Sequence, residues 1–137
     1  MLPTMTLNKT STQADISITI DKNVALIIIK EPKEMSIDKI VSHIDKINQI
    51  PELPDHLHIL TDCSNSIAKF SISDTPKIEK AISRITPKFK SIKHALVLTK
   101  PKETAIAMNM ENKPIDNCYI MKIFFSINNA KEWLKEK

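Results

Sequence analysis

Glycine is missing from this chain, and aromatic residues and cysteines are rare. None of the 137 residues is glycine, aromatics make up 4% of them, and the two cysteines are Cys63 and Cys118. Phosphate-binding loops of the Walker and Rossmann types need backbone conformations that only glycine adopts cheaply, so the sequence excludes both. Tight turns must instead depend on Asn, Asp, Ser or Pro.

The charge balance and the apolar runs set further limits. The formal net charge is +4, a mild excess that is below what a dedicated nucleic-acid binder carries. The chain shows neither an apolar signal core after a basic start nor an apolar run long enough to cross a membrane. Two cysteines far apart in the sequence favour reduced thiols, and we therefore expect a cytoplasmic protein.

The first half of the chain alternates between strand and helix patterns. Residues 1–14 are rich in Thr, Ser and Asn without a period, which favours a flexible N-terminal arm. Ile16 to Ile20 alternates apolar and polar residues and Val24 to Ile29 is almost wholly apolar, so the two predict a hairpin, with Asn23 supplying the left-handed turn conformation. A helix capped by Ser36 follows. Its apolar residues have the spacing of one helix face: Ile37, Ile40, Val41, Ile44 and Ile47.

The second half repeats the step from strand to helix. The stretch from His56 to Ser64 predicts a short buried strand that ends in polar residues and opens into a loop. The next helix is capped by Ser73 and kinked by Pro87, and its apolar stripe continues to Ile92. The remaining predicted elements are a strand from Ala95 to Leu98, a helix from Pro101 that stops before Pro114, a strand from Tyr119 to Ile127, and a final helix with Ala130, Trp133 and Leu134 on one face.

This order of elements, β-β-α-β-α-β-α-β-α, predicts one α/β domain over residues 15–137. Strands separated by helices pair in parallel, whereas the hairpin is antiparallel. We therefore expect a single mixed sheet of about five strands with about four helices. The sheet edge at Ile16 to Ile20 would permit a homodimer.

Four segments carry a resemblance to a known family: the hairpin Ile16 to Ile29, the strand end Ile59 to Asp62, the strand Ala95 to Leu98, and the ending from Lys122 to Leu134. Together they resemble the SpoIIAA-like proteins, small bacterial domains related to the STAS fold of anti-sigma-factor antagonists. The resemblance covers roughly residues 15–135. It implies the same fold and a non-enzymatic regulatory or protein-interaction role.

One motif of that group is absent here. Antagonists of this fold are switched by phosphorylation of a serine in an Asp-Ser-Ser-Gly motif at the start of the second helix. The corresponding region of this chain contains Ser71 and Ser73 but neither the glycine nor the motif. A phosphate would be favoured at a helix N-terminus, although Asp74 already occupies it. The alternative is that Ser73 only caps the helix.

The residues that follow the central strand are candidates for chemistry. Asp62, Cys63 and Ser64 lie where open α/β sheets usually place their ligands. Cys63 is either a nucleophile, with His58 or His94 as its base, or a small buried thiol, which is the commoner role.

Two histidines of the same strand, His56 and His58, share one face. Asp62 shares that face but lies roughly 13 Å from His58 at about 3.3 Å per residue, too far to complete one metal site. Satisfied or solvent-facing histidines are therefore the favoured interpretation, and we expect no metal or cofactor.

A basic stripe is the candidate surface for a partner. Between Lys80 and Lys102 there are seven basic residues and no acid. On a helical wheel Lys77, Lys80, Arg84 and Lys88 form one stripe, which would fit an acidic protein or an anionic surface. Nucleic acid is disfavoured because the stripe itself contains no aromatic residue for stacking. The alternative is a solvated helix face.

Three functions remain open at this stage. The first is binding of a protein partner through the strand end and the second helix: Asp62, Cys63, Ser64, Ser71, Ser73, Lys77, Lys80, Arg84 and Lys88. The second is transport of a small apolar or lipid-like ligand in a pocket lined by Ile106, Met108 and Met110, residues for which core packing is the alternative role. The third is an enzyme that acts through Cys63.

Overall fold

Eight strands and four α-helices occupy residues 4–7, 15–111 and 113–136, the part of the chain that this computed structural model describes. The strands are β1 (Thr4–Leu7), β2 (Asp15–Asp21), β3 (Val24–Lys30), β4 (Glu34–Met35), β5 (His56–Asp62), β6 (Ile67–Ala68), β7 (Ser91–Val97) and β8 (Tyr119–Phe124). The helices are α1 (Ile37–Asn48), α2 (Thr75–Ile85), α3 (Pro101–Glu111) and α4 (Ile127–Lys135). Single turns of 3₁₀ helix flank α2 at Ile72–Asp74 and Thr86–Lys88.

Six of the strands form one mixed sheet in the order β1-β2-β3-β5-β7-β8. The β1–β2 and β2–β3 pairs are antiparallel, and the three following pairs are parallel. The predicted α/β fold, with an antiparallel hairpin followed by parallel units, is therefore confirmed. β4 and β6 form a separate parallel pair, which follows the carboxyl ends of β3 and β5 in the chain.

Part of the N-terminal segment is a strand. Thr4–Leu7 pairs with residues 16–19 of β2. The prediction of a flexible arm over residues 1–14 is thus wrong for residues 4–7, and the other ten residues lie outside the described part. The same pairing covers Ile16 to Thr19, which is most of the sheet edge at Ile16 to Ile20 that was expected to permit a homodimer.

The sheet separates two layers of helices. On one face Ile27 and Leu57 pack with residues of α1 and α2 such as Ile82, and α3 lies on this face too. On the other face Leu60 packs against Ala130 of α4. Because aromatic residues are few, Ile, Leu, Val, Ala and Met fill both cores. No helix in the described residues has the length and apolar content needed to cross a membrane.

The start of α1 agrees with the sequence pattern, and the start of α2 does not. Ser36 Oγ accepts a hydrogen bond from the Lys39 N–H at 3.2 Å, so the predicted cap of α1 is confirmed. At α2 the cap prediction is wrong, because Asp74 occupies the cap position of α2 and Ser71 that of the preceding 3₁₀ turn. Asp74 Oδ2 accepts the Ser71 N–H at 3.0 Å. Ser73 Oγ instead lies 2.8 Å from Ser71 Oγ.

The end of α2 and the next strand also differ from the prediction. Pro87 does not kink α2, which stops at Ile85, and Pro87 lies in the following 3₁₀ turn. A proline removes one helix hydrogen bond and clashes with the preceding turn, so ending the helix before it avoids both costs. Ile92 therefore belongs to β7, which begins four residues before the predicted Ala95. β8 ends at Phe124, short of the predicted Ile127.

The hairpin turn between β2 and β3 is made without glycine. Lys22 has φ 57°, whereas Asn23 has no positive φ, so the residue expected to adopt the left-handed conformation is the wrong one. A positive φ at only the first of two loop residues is the geometry of a type II′ turn, whose first position favours glycine.

Candidate functional site

A cavity lies between the sheet and the layer formed by α1, α2 and α3, near the carboxyl ends of β3, β5 and β7. Its volume is about 70 Å³. Most of its lining is aliphatic or methionine, including Ile29, Met35, Ile44, Leu96, Ile106 and Met110. Open α/β sheets place their ligands at this end of the strands, which makes the cavity the candidate site.

Several buried polar side chains line the same cavity. They are Glu31, His43, Thr61, Cys63, His94 and Glu103, and each is at most 9% exposed. A buried polar group costs free energy unless it is hydrogen-bonded. The hydrogen bonds of these six groups therefore determine what the cavity can accept.

Glu31 and His43 form a buried pair on the wall of the cavity. His43 Nδ1 lies 3.0 Å from Glu31 Oε2, and the two side chains are 4% and 2% exposed. Glu31 Oε1 is also buried but has no hydrogen-bond partner in the described part of the chain. One oxygen of this carboxyl group is thus satisfied, and the other is a buried acceptor without a donor among the described residues.

His94 is held between two hydroxyl groups. Its Nε2 lies 2.8 Å from Thr61 Oγ1, and its Nδ1 lies 2.6 Å from Tyr119 Oη. Burial lowers the pKa of His94 to about 4, so the imidazole is neutral at pH 7. Burial also raises the pKa of Tyr119. Both nitrogens of a neutral imidazole are engaged here, which leaves His94 no free nitrogen with which to act as a base.

Cys63 is a buried thiol. Burial, followed by the negative charges of Glu31, Asp62 and Glu103, raises the pKa of Cys63 well above its usual range. Its Sγ donates to Met35 Sδ at 3.6 Å. Since the thiolate is the nucleophile, this environment favours the structural role of Cys63 over the catalytic one.

The β4–β6 pair contributes residues to one wall of the cavity. Met35 of β4 and Ala68 of β6 both line it. The Ala68 N–H donates to Glu103 Oε2 at 2.8 Å, and Lys102 Nζ donates to the Ala68 carbonyl at 3.0 Å, which attaches β6 to α3.

The strand-end residues proposed as a partner surface are mostly buried. Asp62 Oδ1 accepts hydrogen bonds from the Ser64 N–H at 3.0 Å and from Ser64 Oγ at 2.6 Å, which makes a local turn. Asp62 is 8% and Cys63 4% exposed, and only Ser64 is half-buried. A docked protein could therefore touch Ser64 but neither of the other two.

Four of the residues predicted to bind a protein partner are exposed on or next to α2. Ser71 caps the 3₁₀ turn before α2, Ser73 lies on that turn, and Lys77 and Lys80 lie on α2. A protein partner could reach these side chains, and their role in binding stays a prediction.

The other half of the basic stripe makes contacts inside the molecule. Arg84 Nη2 lies 3.0 Å from Asp45 Oδ1, and Arg84 Nε donates to the same oxygen at 3.1 Å. Lys88 Nζ donates to the carbonyl of Asn48 at 3.0 Å. Arg84 and Lys88 thus connect α2 and the turn after it to α1, which reduces the surface available to a partner.

Main-chain carbonyls account for most of the remaining basic run. Lys93 Nζ donates to the carbonyls of Trp133 at 3.0 Å and Glu136 at 2.8 Å, at the end of α4. Lys100 Nζ donates to the Ser64 carbonyl at 3.1 Å. Cations near the last carbonyls of a helix are favourable. Much of this basic run therefore has a structural explanation.

The predicted pocket residues divide between the cavity and the surface. Ile106 and Met110 line the cavity and are 6% and 5% exposed, and their role in ligand binding stays a prediction. The prediction for Met108 is wrong, because this side chain is 51% exposed. At 3.6 residues per turn a helix places residue 108 on the side opposite residues 106 and 110.

The histidines of β5 were expected to be satisfied or to face solvent. His56 Nδ1 lies 2.7 Å from Ser91 Oγ, so this histidine is satisfied. Among the residues that the structure describes, no group of three or more His, Cys, Asp and Glu side chains could hold a metal ion.

The sequence interpretation missed Glu31, His43 and Glu103, although each has a detectable signal. Glu31 follows the buried strand β3, much as Asp62 ends β5. His43 falls three residues after Ile40 within the apolar stripe of α1. Glu103 lies three residues before Ile106 on the buried face of α3. A polar residue on an apolar helix face is the pattern that would have identified the last two.

A solved structure shares this fold. No family model matches the sequence, and no curated protein matches it. A crystal structure of an uncharacterised protein of the DUF3478 family from Shewanella loihica PV-4, described as having a SpoIIAA-like fold, is similar with a TM-score of 0.56 and 15% identity. The match covers 93% of this chain and 98% of that one. This protein therefore has a SpoIIAA-like fold, as the sequence resemblance implied, and identity this low shows the fold alone.

Proposed function

We propose that this protein is a non-enzymatic binding module whose cavity holds a small molecule with a largely apolar surface. The supporting observation is the cavity itself, which lies at the carboxyl ends of parallel strands and combines an apolar lining with a few polar groups. Its volume of about 70 Å³ exceeds the roughly 10–15 Å³ that one water needs. It is below the roughly 300–1,000 Å³ of sites for drug-sized ligands, so a ligand of a few heavy atoms fits better than a long lipid chain.

The groups best suited to catalysis support the non-enzymatic part of the proposal. Cys63 is a buried thiol with a raised pKa, and His94 has both nitrogens engaged. Both cysteines are free, which supports the expectation that the protein works in the reducing cytoplasm.

Two-dimensional NMR of ¹⁵N-labelled protein, titrated with 1-propanol and benzene, tests the proposal. We expect the chemical-shift changes to concentrate at residues that line the cavity. Ala107 lines the cavity, whereas Ala105 on the same helix is exposed. Ala107→Leu should abolish the changes because it fills the space, and Ala105→Leu should leave them intact. Changes scattered over the surface, or unaltered in Ala107→Leu, would contradict a cavity site.

A regulatory contact with a protein partner is the second candidate, and one segment favours it. Ala68 and Phe70 line the cavity, while Ile67 and Ile72 are 37% and 48% exposed on the same segment. A ligand inside the cavity and a partner outside would therefore contact one short segment from its two sides. Such an arrangement would let the ligand regulate partner binding.

Partner capture from the native host tests this second function. We expect the double variant Ile67→Lys and Ile72→Lys to lose a partner that the unmodified chain retains. Ile120→Lys is the matched control, because Ile120 is 56% exposed but lies on β8, away from this segment in the chain. Equal loss in the control would show that the surface around Ile67 and Ile72 has no special role.

A further inference from the structure

The polar side chains that line the cavity make hydrogen bonds within the protein. Glu103 Oε2 accepts the Ala68 N–H at 2.8 Å, and Cys63 Sγ donates to Met35 Sδ at 3.6 Å. Each of these contacts occupies a group that a polar ligand would otherwise bind.

The two histidines of the lining are likewise bound to other protein groups. The nitrogens of His94 lie 2.8 Å from Thr61 Oγ1 and 2.6 Å from Tyr119 Oη. His43 Nδ1 lies 3.0 Å from Glu31 Oε2. The histidines therefore serve the packing of the wall more than they serve a molecule inside it.

One side-chain oxygen of the described lining residues is buried without a hydrogen-bond partner. This oxygen, Glu31 Oε1, presents almost no accessible surface, so a molecule in the cavity does not contact it. The surface that the cavity does present is almost wholly apolar. A ligand therefore meets carbon and sulfur atoms and very few hydrogen-bonding groups.

A polar or charged ligand would lose its contacts with water in this cavity without replacing them. A hydroxyl group buried without a hydrogen bond lowers an affinity by roughly tenfold or more, and an unpaired charge lowers it further. An apolar group, in contrast, gains free energy by leaving water. We infer that the ligand is a small hydrocarbon, a molecule without a hydrogen-bonding or charged group. This inference rests on the proposed ligand-binding function and specifies the chemical class of the ligand.

The volume and the methionines of the lining indicate the size of this hydrocarbon. The cavity volume of about 70 Å³ is roughly half that of an engineered cavity of about 150 Å³ that binds benzene, so about three or four carbon atoms fit without rearrangement. Met35, Met110 and Met121 line the cavity. Their flexible and polarisable side chains can pack closely around an apolar molecule, and a larger one such as benzene would require them to move.

A matched series of probes tests the chemical class in the unmodified protein. The probes n-butane, 1-propanol and n-propylammonium have the same number of heavy atoms and end in a methyl, a hydroxyl and an ammonium group. In NMR titrations at pH 7, compared at dissolved concentrations, we expect n-butane to bind at least about tenfold more tightly than 1-propanol. The ammonium probe should not shift the cavity resonances. Small probes bind weakly, so the two soluble ones are titrated to high concentration.

A pair of variants tests whether the missing hydrogen-bond partner causes this preference. Ile106 lines the cavity and is 6% exposed. Ile106→Thr places in the lining a hydroxyl group that can bond to 1-propanol, so the preference for n-butane should fall several-fold. Ile106→Val has nearly the same shape as the threonine variant but no hydroxyl group, and it should keep the preference.

The outcomes separate this inference from the function on which it rests. If 1-propanol shifts the cavity resonances and n-butane binds no better, the cavity is a binding site but the inference is wrong. A cavity shift by n-propylammonium as strong as that by n-butane would also overturn the inference, as would an unchanged preference in Ile106→Thr. If no probe shifts the cavity resonances, both the inference and the proposed function fail. Should Ile106→Thr not fold, the probe series in the unmodified protein still decides.

Discussion

At the scale of single residues, the absence of glycine has a visible cost. Lys22 and Glu52 have φ values of 57° and 60°. The left-handed conformation costs a non-glycine residue about 1–2 kcal/mol, because the Cβ atom approaches the following carbonyl oxygen. Because Asp21 pairs with Val24, the loop between β2 and β3 has two residues. A turn of this length requires a positive φ at position 22, whichever residue occupies it.

Lys22→Gly should therefore stabilise the protein by about 1 kcal/mol, less than the full strain because glycine also makes the unfolded chain more flexible. Chemical denaturation of the variant and the unmodified chain measures the difference. Lys22→Ala removes the same charge and keeps the Cβ atom, so it should give no gain. An equal gain in both variants would attribute the effect to charge and not to the backbone.

A second residue-scale prediction concerns His94 and pH. Its pKa is about 4 in the folded protein against a usual 6.5, so the unfolded chain binds more protons between these values. Stability is then fully present above pH 6.5 and falls as the pH drops toward 4, by roughly 3 kcal/mol from this group. Denaturation curves across this range should show the slope in the unmodified chain and a much smaller one in His94→Gln.

His58 provides the comparison for that experiment. Burial, with smaller effects from Lys93 and His56, lowers the pKa of His58, but this side chain is only half-buried. His58→Gln should thus remove less of the pH dependence than His94→Gln. If both variants keep the full slope, carboxyl groups and not histidines control acid stability.

At the scale of elements, the basic stripe of α2 joins two helices. Arg84 and Asp45 are 48% and 38% exposed, and an exposed pair of this kind contributes up to about 1 kcal/mol. Arg84→Glu should lower the free energy of unfolding by about 1 kcal/mol, because it places two like charges between α1 and α2. Adding Asp45→Arg to this variant restores an opposite-charge pair and should recover most of the loss in chemical denaturation.

Lys80→Glu is the matched control on the same helix. Lys80 is exposed and makes no hydrogen bond or ion pair with the residues that the structure describes, so the charge change alone should have little effect. A loss as large as that of Arg84→Glu would show that net charge, and not the contact with Asp45, controls stability. Lys80 and Lys77 are also better choices than Arg84 for testing a partner, since their substitution leaves the α1–α2 contact intact.

The elements themselves were largely predictable from local pattern. The alternation in β2, the continuous apolar run of β3 and the apolar face of α1 each depend on neighbouring residues, and the parallel pairing follows from the order of strands and helices. β1 was missed because its pairing with β2 is a tertiary contact that Thr4–Leu7 does not signal. Pro87 was misplaced because a proline can either kink a helix or end it, and packing of the next strand decides.

The cavity was less predictable than the elements that surround it. Ile106 and Met110 were identified from their helix, but Glu31, His43 and Glu103 come from three segments that only the folded chain brings together. Their partners are equally distant in sequence, as the hydrogen bond from the Ala68 N–H to Glu103 shows. A single sequence reveals that a polar residue lies on an apolar face, whereas its partner depends on the packing of the whole molecule.

At the scale of the whole molecule, the cavity that would bind a ligand also lowers the free energy of unfolding. Unfilled space in a core costs roughly 24 cal/mol per Å³, so 70 Å³ corresponds to a little under 2 kcal/mol. Ala107→Leu fills part of this space, so it should raise the free energy of unfolding by about 1 kcal/mol and abolish probe binding. Ala105→Leu, at an exposed position of the same helix, should change neither the stability nor the binding. A protein that retains a costly cavity for its function should gain stability when it loses binding. If Ala107→Leu destabilises the chain, the space is already well packed and the case for a ligand site weakens.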